Sequence, residues 1–219
     1  VVTYSLLFSK QAFETFPSFS PDGKTLYFSS SVAQKMPIDY KKVKYNICSI
    51  SFDAETGRFG TQVDTLFSVE QTGKTGTFPR VSPDGKFLAF TEADYGNFTI
   101  WHKEADLCLI DLKTKEIKSL DALNSLEAES YHAWSSNGRW LVFASRRDDG
   151  LYSRPYIAYI DEEGTAHKAF VVPQASPDAY LDGLKSYNVP EFITGPVNLQ
   201  RKAVVEMAKH GQAKKVTAQ

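Results

Sequence analysis

Residues 16–31, FPSFSPDGKTLYFSSS, decide how the rest of the chain is read, because residues 78–93, FPRVSPDGKFLAFTEA, repeat nine of those sixteen residues in place. A third, blurred copy stands at 132–147, HAWSSNGRWLVFASRR, where Ser136 and Asn137 replace the Pro-Asp pair and Gly138 is kept. Each copy has the form of a hairpin. A short apolar run meets a turn in which Pro presets φ, Asp bonds its own backbone two residues on and Gly supplies positive φ; a run of β formers then leads away. A second hairpin follows each first one: YNICSISFDAETGRFGTQVDTLF turns at Thr56-Gly57, ADLCLIDLKTKEIKSL follows the second copy, and RPYIAYIDEEGTAHKAFVV turns at Glu163-Gly164.

Four locally connected strands repeated every fifty to sixty residues predict an all-β fold, a β-propeller of four-stranded antiparallel blades. The blades are expected at 11–72, 73–126 and 127–173, and residues 1–10 read as the outer strand of a preceding blade, since SLLFS resembles DTLFS and KAFVV. Three blades make an arc, and a bare blade face of on the order of 500 Å² forgoes on the order of 12 kcal/mol. The expectation is therefore a longer natural protein with a six- or seven-bladed ring, or association of copies through open blade edges. Residues 174–219 form a tail: extended to about 197, with Tyr187, Phe192 and Ile193 able to dock on a blade, then a short helix near 198–210 capped by Asn198 and stopped by Gly211. Such a helix is expected to pack on its own domain.

Composition narrows the function classes. A hydrophobic content of 42% with 13% aromatic residues is ample for a core in 219 residues. A net charge of −1 supplies no basic field, so nucleic acid is not an expected partner. No apolar run reaches the length of a membrane span, so the chain is read as not membrane-spanning, and the first ten residues lack the zones of a signal peptide. Cys48 and Cys108 fall in third strands of different blades, where free buried thiols are expected. There is no C-x-x-C-H for haem attachment, no G-x-S-x-G elbow, and the Gly73-Lys74-Thr75 sequence lacks the first glycine of a phosphate loop, Ser68 standing there. No catalytic residue, cofactor or metal site is expected.

Binding has better candidates. A meander places the first and third turns of each blade at one end of the sheets and the long connections at the other. The first end receives only tight turns. The other receives 31–45, 92–105 and 146–155 and the crossings near 70–77 and 122–131. Long loops on a rigid scaffold are where binding concentrates, and Trp, Tyr and Arg dominate binding hot spots. The candidates are Tyr95, Asn97, Trp101, His102, His132, Arg146, Arg147, Asp148, Tyr152 and Arg154. The plainer roles stand beside these: the Arg146–Asp149 run grips a carboxylate or phosphate or satisfies itself and fixes the loop between blades, and Trp101 is a ligand shelf or a plug between blades. His102, His132 and Glu104 have no tight metal-ligand spacing.

The repeated S-P-D-G hairpin, at Ser20-Pro21-Asp22-Gly23 and Ser82-Pro83-Asp84-Gly85, resembles the WD-like propeller repeat of TolB, of the tricorn protease and of many bacterial envelope proteins. The stretches DYGNFTIWHKEADL (94–107), SYHAWSSNGRWLVFASRRDDGLYSRPYIAYID (130–161) and SYNVPEFITGPV (186–197) resemble TolB-type proteins sometimes labelled cytochrome c biosynthesis factors. The resemblance covers about residues 1–197 and implies a periplasmic, envelope-associated scaffold that binds a protein or peptide. The alternative is the propeller domain of a larger hydrolase or peptidase, gating substrate access.

Overall fold

The computed structural model describes residues 11–176, 178–196 and 200–211. Three four-stranded antiparallel sheets follow one another along the chain, each with its strands in sequence order. The first comprises β1 (Ala12–Phe19), β2 (Thr25–Val32), β3 (Asn46–Asp53) and β4 (Arg58–Phe67). The second comprises β5 (Thr75–Val81), β6 (Phe87–Ala93), β7 (Asp106–Asp111) and β8 (Ile117–Ser119). The third comprises β9 (Glu129–Trp134), β10 (Trp140–Ser145), β11 (Arg154–Tyr159) and β12 (Phe170–Val171). The expected outer strand at 1–10 and the Asn198 cap lie outside the described residues.

The repeated turn shows why the blurred copy folds like the clear ones. Asp22 and Asp84 each accept a hydrogen bond from the serine two residues before, at 2.6 Å, and from the backbone N–H two residues after, at 3.0 and 3.1 Å. Asn137 accepts the same pair from Ser135 and Arg139, at 2.6 and 3.1 Å. Gly85 sits at φ +73 and Gly138 at φ +67, a region that a Cβ disfavours. Serine in place of proline costs the turn only its preset φ.

Alternation along the second strand decides which side chains meet which blade. Leu88 and Phe90 turn back to join Tyr27, Ile47 and Phe67 of the first blade. Leu141 and Phe143, at the same positions one repeat later, join Phe87, Ala89, Leu107 and Leu109 of the second. In the second and third blades the Leu-x-Phe pattern thus faces the preceding blade. Phe90 and Phe143 are fully buried, so truncating either to Ala is expected to cost about 3–5 kcal/mol. Packing at the first seam is close: a Cβ on Gly76 would lie 2.9 Å from the side chains of Ile47 and Phe67.

Each inner strand carries the same bulge. Phe16 and Pro17 lie opposite Phe28 alone, Phe78 and Pro79 opposite Phe90, and Tyr131 and His132 opposite Phe143. The first residue of each pair is left-handed, with φ of 54, 55 and 51°. For an aromatic side chain that conformation costs on the order of 1 kcal/mol apiece. The three rings stack in series, with centroids 3.9 Å apart between Phe16 and Phe78 and 4.8 Å between Phe78 and Tyr131. This register moves the third copy: Tyr131, not His132, is the counterpart of Phe16, so the repeat begins one residue earlier than its sequence suggests.

Cys48 and Cys108 are buried free thiols, and burial pushes the Cys48 thiol up to about 11. After β12 the tail docks through two tyrosines. The Tyr180 hydroxyl donates to the Val172 carbonyl at 2.8 Å, its ring meets Tyr187 edge-on, and the Tyr187 N–H donates to the Ser153 carbonyl at 2.8 Å. All three expected docking residues, Tyr187, Phe192 and Ile193, keep substantial exposure, and Tyr187 is tied down through its ring edge and backbone N–H. The tail helix, Arg201–His210, starts after Gln200. Residues 202–210 are exposed throughout, including Met207, contrary to the packed helix expected from its apolar stripe.

Candidate functional site

The long connections leave one end of the sheets, and that end carries several exposed apolar side chains. Met36 and Ile38 stand on the first blade's loop, Phe98 and Trp101 on the second's, and Leu126 and Leu151 beside the third, each more than half exposed. The sequence candidates included only Trp101 among these six. The available signal was apolar residues within otherwise polar connections, such as Leu126 in NSLEAES.

Trp101 is 73% exposed and yet fixed. It ends a 3-10 turn, Thr99–Trp101, whose first residue is buried. The Thr99 hydroxyl lies 2.8 Å from that of Ser130 and 3.4 Å from that of Thr77, tying the turn to two inner strands. The Arg146 guanidinium stacks 4.4 Å from the centre of the indole ring and donates to the carbonyls of Ile100 and Leu151. One face of the indole is therefore covered by an arginine that also joins the loops of blades 2 and 3.

Beside it, Tyr95 packs edge-on against His102 at 4.5 Å and against Tyr40 at 5.7 Å. His102 Nδ1 lies 3.1 Å from Glu104 Oε1. Lys74 bonds Asp94, which holds the Asp94 carboxyl below the usual carboxylate range. Glu92 and Asp106 face each other across β6 and β7, and burial raises both carboxyls. Asn97 and Tyr152 are half-buried in their loops, the Tyr152 N–H donating to Asp149 at 2.9 Å.

Of the remaining candidates, Arg147, Arg154 and His132 face inward, while Asp148 is exposed. Arg147 donates from Nε to Ser145 at 2.8 Å, to the Leu123 carbonyl and to Glu129 at 3.1 Å, and its guanidinium lies 4.3 Å from the Tyr156 ring centre. Glu129 is fully buried and also accepts from the Ser125 and Ser145 hydroxyls, each at 2.7 Å. Burial raises its carboxyl, and those hydroxyls and Arg147 oppose the rise. Arg154 is 5% exposed and pairs with Asp148 at 2.9 Å and Asp149 at 2.8 Å. Asp148 also accepts from the Tyr156 hydroxyl at 2.7 Å. His132 is enclosed in β9, out of reach of a ligand on the loop end. So the arginines and aspartates of the 146–149 run do not pair with one another: Arg147 turns to Glu129, Asp148 and Asp149 take Arg154, and His132 does not join His102 and Glu104. Among the described residues no three of His, Cys, Asp and Glu converge as metal ligands.

Three radially successive antiparallel sheets with tight turns at one end and long loops at the other define a partial β-propeller. The fold is TolB-like. A structure described as TolB from Agrobacterium tumefaciens is similar at TM-score 0.50 and 18% identity, over 74% of this chain and 50% of that one. An oligogalacturonate lyase in complex with manganese is similar at TM-score 0.51 and 16% identity, over 77% and 44%. A puromycin-hydrolyzing peptidase from Mycobacterium tuberculosis is similar at TM-score 0.52 and 13% identity, over 75% and 24%. The chain spans half or less of the length of each. No family model and no curated protein matches the sequence. No helix among the described residues is long and apolar enough to cross a membrane.

Proposed function

We propose that this chain is a non-catalytic module of the bacterial cell envelope that binds a protein or peptide with its long-loop end. The observation that carries the reading is Trp101: a large aromatic side chain held rigidly by Arg146 and Thr99 while 73% of it faces solvent. A fixed indole offers contact area without the entropy cost of ordering it on binding. Phe98, Leu126 and Leu151 extend the apolar surface on neighbouring loops, and exposed apolar surface rimmed by charge marks interaction sites. Resemblance to TolB supports the periplasmic setting.

The test is affinity capture from an envelope extract with three proteins: the natural one, a Trp101→Ala/Leu151→Ala variant, and a control changed at the tight-turn end, Lys86→Ala/Lys113→Ala. A partner retained by the control and lost by the loop variant, with melting temperatures unchanged, supports the reading. Equal capture by all three refutes it. A catalytic domain encoded in the same gene, with activity gated by these loops, would favour the hydrolase-propeller alternative.

A further inference from the structure

The second residue of the inner-strand bulge is Pro17 in the first blade, Pro79 in the second and His132 in the third. The first two have no proton to exchange. His132 has one, in a place built for proline. It is 3% exposed, and neither ring nitrogen has a hydrogen-bond partner, although the backbone of Phe78 and Ala89 comes close to the ring. Those two residues belong to the second blade, so the imidazole sits in the seam between blades 2 and 3.

The surroundings offer an imidazolium little: the backbone of Ala89 and Phe78 favours it, and burial outweighs both. The elements packed most closely against β9 are β10, β5, β6, β7 and the Thr99–Trp101 turn. β10 and the turn carry no ionisable side chain. β5 contributes Arg80, whose positive charge bears on the ring and opposes protonation. The carboxylates of β6 and β7, Glu92, Asp106 and Asp111, do not pair with it, and Glu129 and Tyr131 on its own strand are directed elsewhere, Glu129 to Ser125, Ser145 and Arg147.

We propose that His132 makes the seam between blades 2 and 3 an acid-sensitive joint, in which protonation of the enclosed imidazole parts the third blade from the second. Burial lowers the ring from its ordinary value near 6.5 to about 4. The fold therefore favours the neutral ring. The stability this confers is complete above the unfolded value, about 6.5, and drains away as pH falls toward the folded value. Ser130, two residues back on the same strand, is the hydroxyl that holds Thr99, so a shift of β9 also reaches the loop carrying Trp101.

Thermal unfolding of the chain between pH 7.5 and 4.5, alone and as His132→Leu and His132→Gln, tests the joint. The melting temperature of the natural protein should fall relative to both variants by several degrees as pH drops below about 6, because only it must take up this proton on unfolding. Parallel pH profiles for all three proteins overturn the proposal. If neither variant folds, proton NMR of the natural protein decides among its four histidines. One imidazole should stay neutral down to about pH 5 and change only as native signals are lost. Four imidazoles titrating near their ordinary value in an intact fold refute the joint.

Discussion

Replacing Arg147 by Ala removes, among the described residues, the only charged donor to Glu129, a carboxylate with no solvent exposure. Breaking a buried pair by deleting one partner costs about 3–5 kcal/mol. Here Glu129 keeps its bonds from Ser125 and Ser145, and the Arg147 side chain is 19% exposed, so the lower end applies. A loss of about 3 kcal/mol corresponds to about 6–12 °C in a domain of this size. The loss also depends on pH. Burial already raises the Glu129 carboxyl, and without Arg147 it rises further, so the variant suffers most when the group must be ionised. The difference in melting temperature between Arg147→Ala and the natural protein should be larger at pH 8 than at pH 5. Adding Glu129→Gln, which keeps an acceptor for the serines and drops the charge, should recover part of the loss. Trp101→Ala should change the melting temperature little, because the indole is mostly in solvent. If calorimetry shows Arg147→Ala within about 1 °C of the natural protein at both pH values, Arg147 is not committed to the fold, and the loop-end contact surface must be redrawn to include it.

Three further outcomes are expected. Phe78→Gly should be less destabilising than Phe78→Ala by about 1 kcal/mol in denaturant titrations, because both lose the ring but only Gly relaxes at φ 55°; the reverse order would refute the strained bulge. Asp84→Asn should be nearly neutral and Asp84→Ala should cost about 1 kcal/mol, since Asn137 already makes the same two bonds in the third turn. Glu92→Gln should stabilise the chain by up to about 1 kcal/mol at pH 7 by removing a like-charge pair with Asp106. As burial raises the Glu92 carboxyl, the natural protein recovers this cost when the group protonates, so the advantage of Gln should vanish as pH falls below the carboxylate range.

The strands were legible because the signals for them are local: a turn of four residues, a two-residue alternation and a glycine of fixed φ all lie within one hairpin. The fate of the arginines was not. Arg147 meets Glu129 across the β9–β10 hairpin of its own blade and the Leu123 carbonyl in the crossing from the second blade, 18 and 24 positions away, and residue types alone do not say that the guanidinium turns inward to them. Arg154 depends on Asp148 and Asp149, which were visible beside it, yet adjacency alone left open whether they faced one another or a ligand. His132 was within reach of sequence reasoning. Aligning on Gly23, Gly85 and Gly138 puts Tyr131 with Phe16 and Phe78, and His132 with two prolines. The stacked aromatics and the buried place follow from that register. The tail helix was visible as an apolar stripe, but no stripe says what it lies against.

Every seam between blades joins unlike surfaces, Leu-x-Phe on one side and the Tyr27 or Phe87 face on the other. Such a contact has no two-fold axis, since neither surface complements itself. Addition through it has a sense, as in a spiral stair, and repeated additions either come round to meet their starting point or continue as an open helix. Trp140, on the side of the third blade that corresponds to Phe87, is the next step in that direction. The order of the repeats along the chain is thus also their order in the stack, each blade receiving the one that follows it.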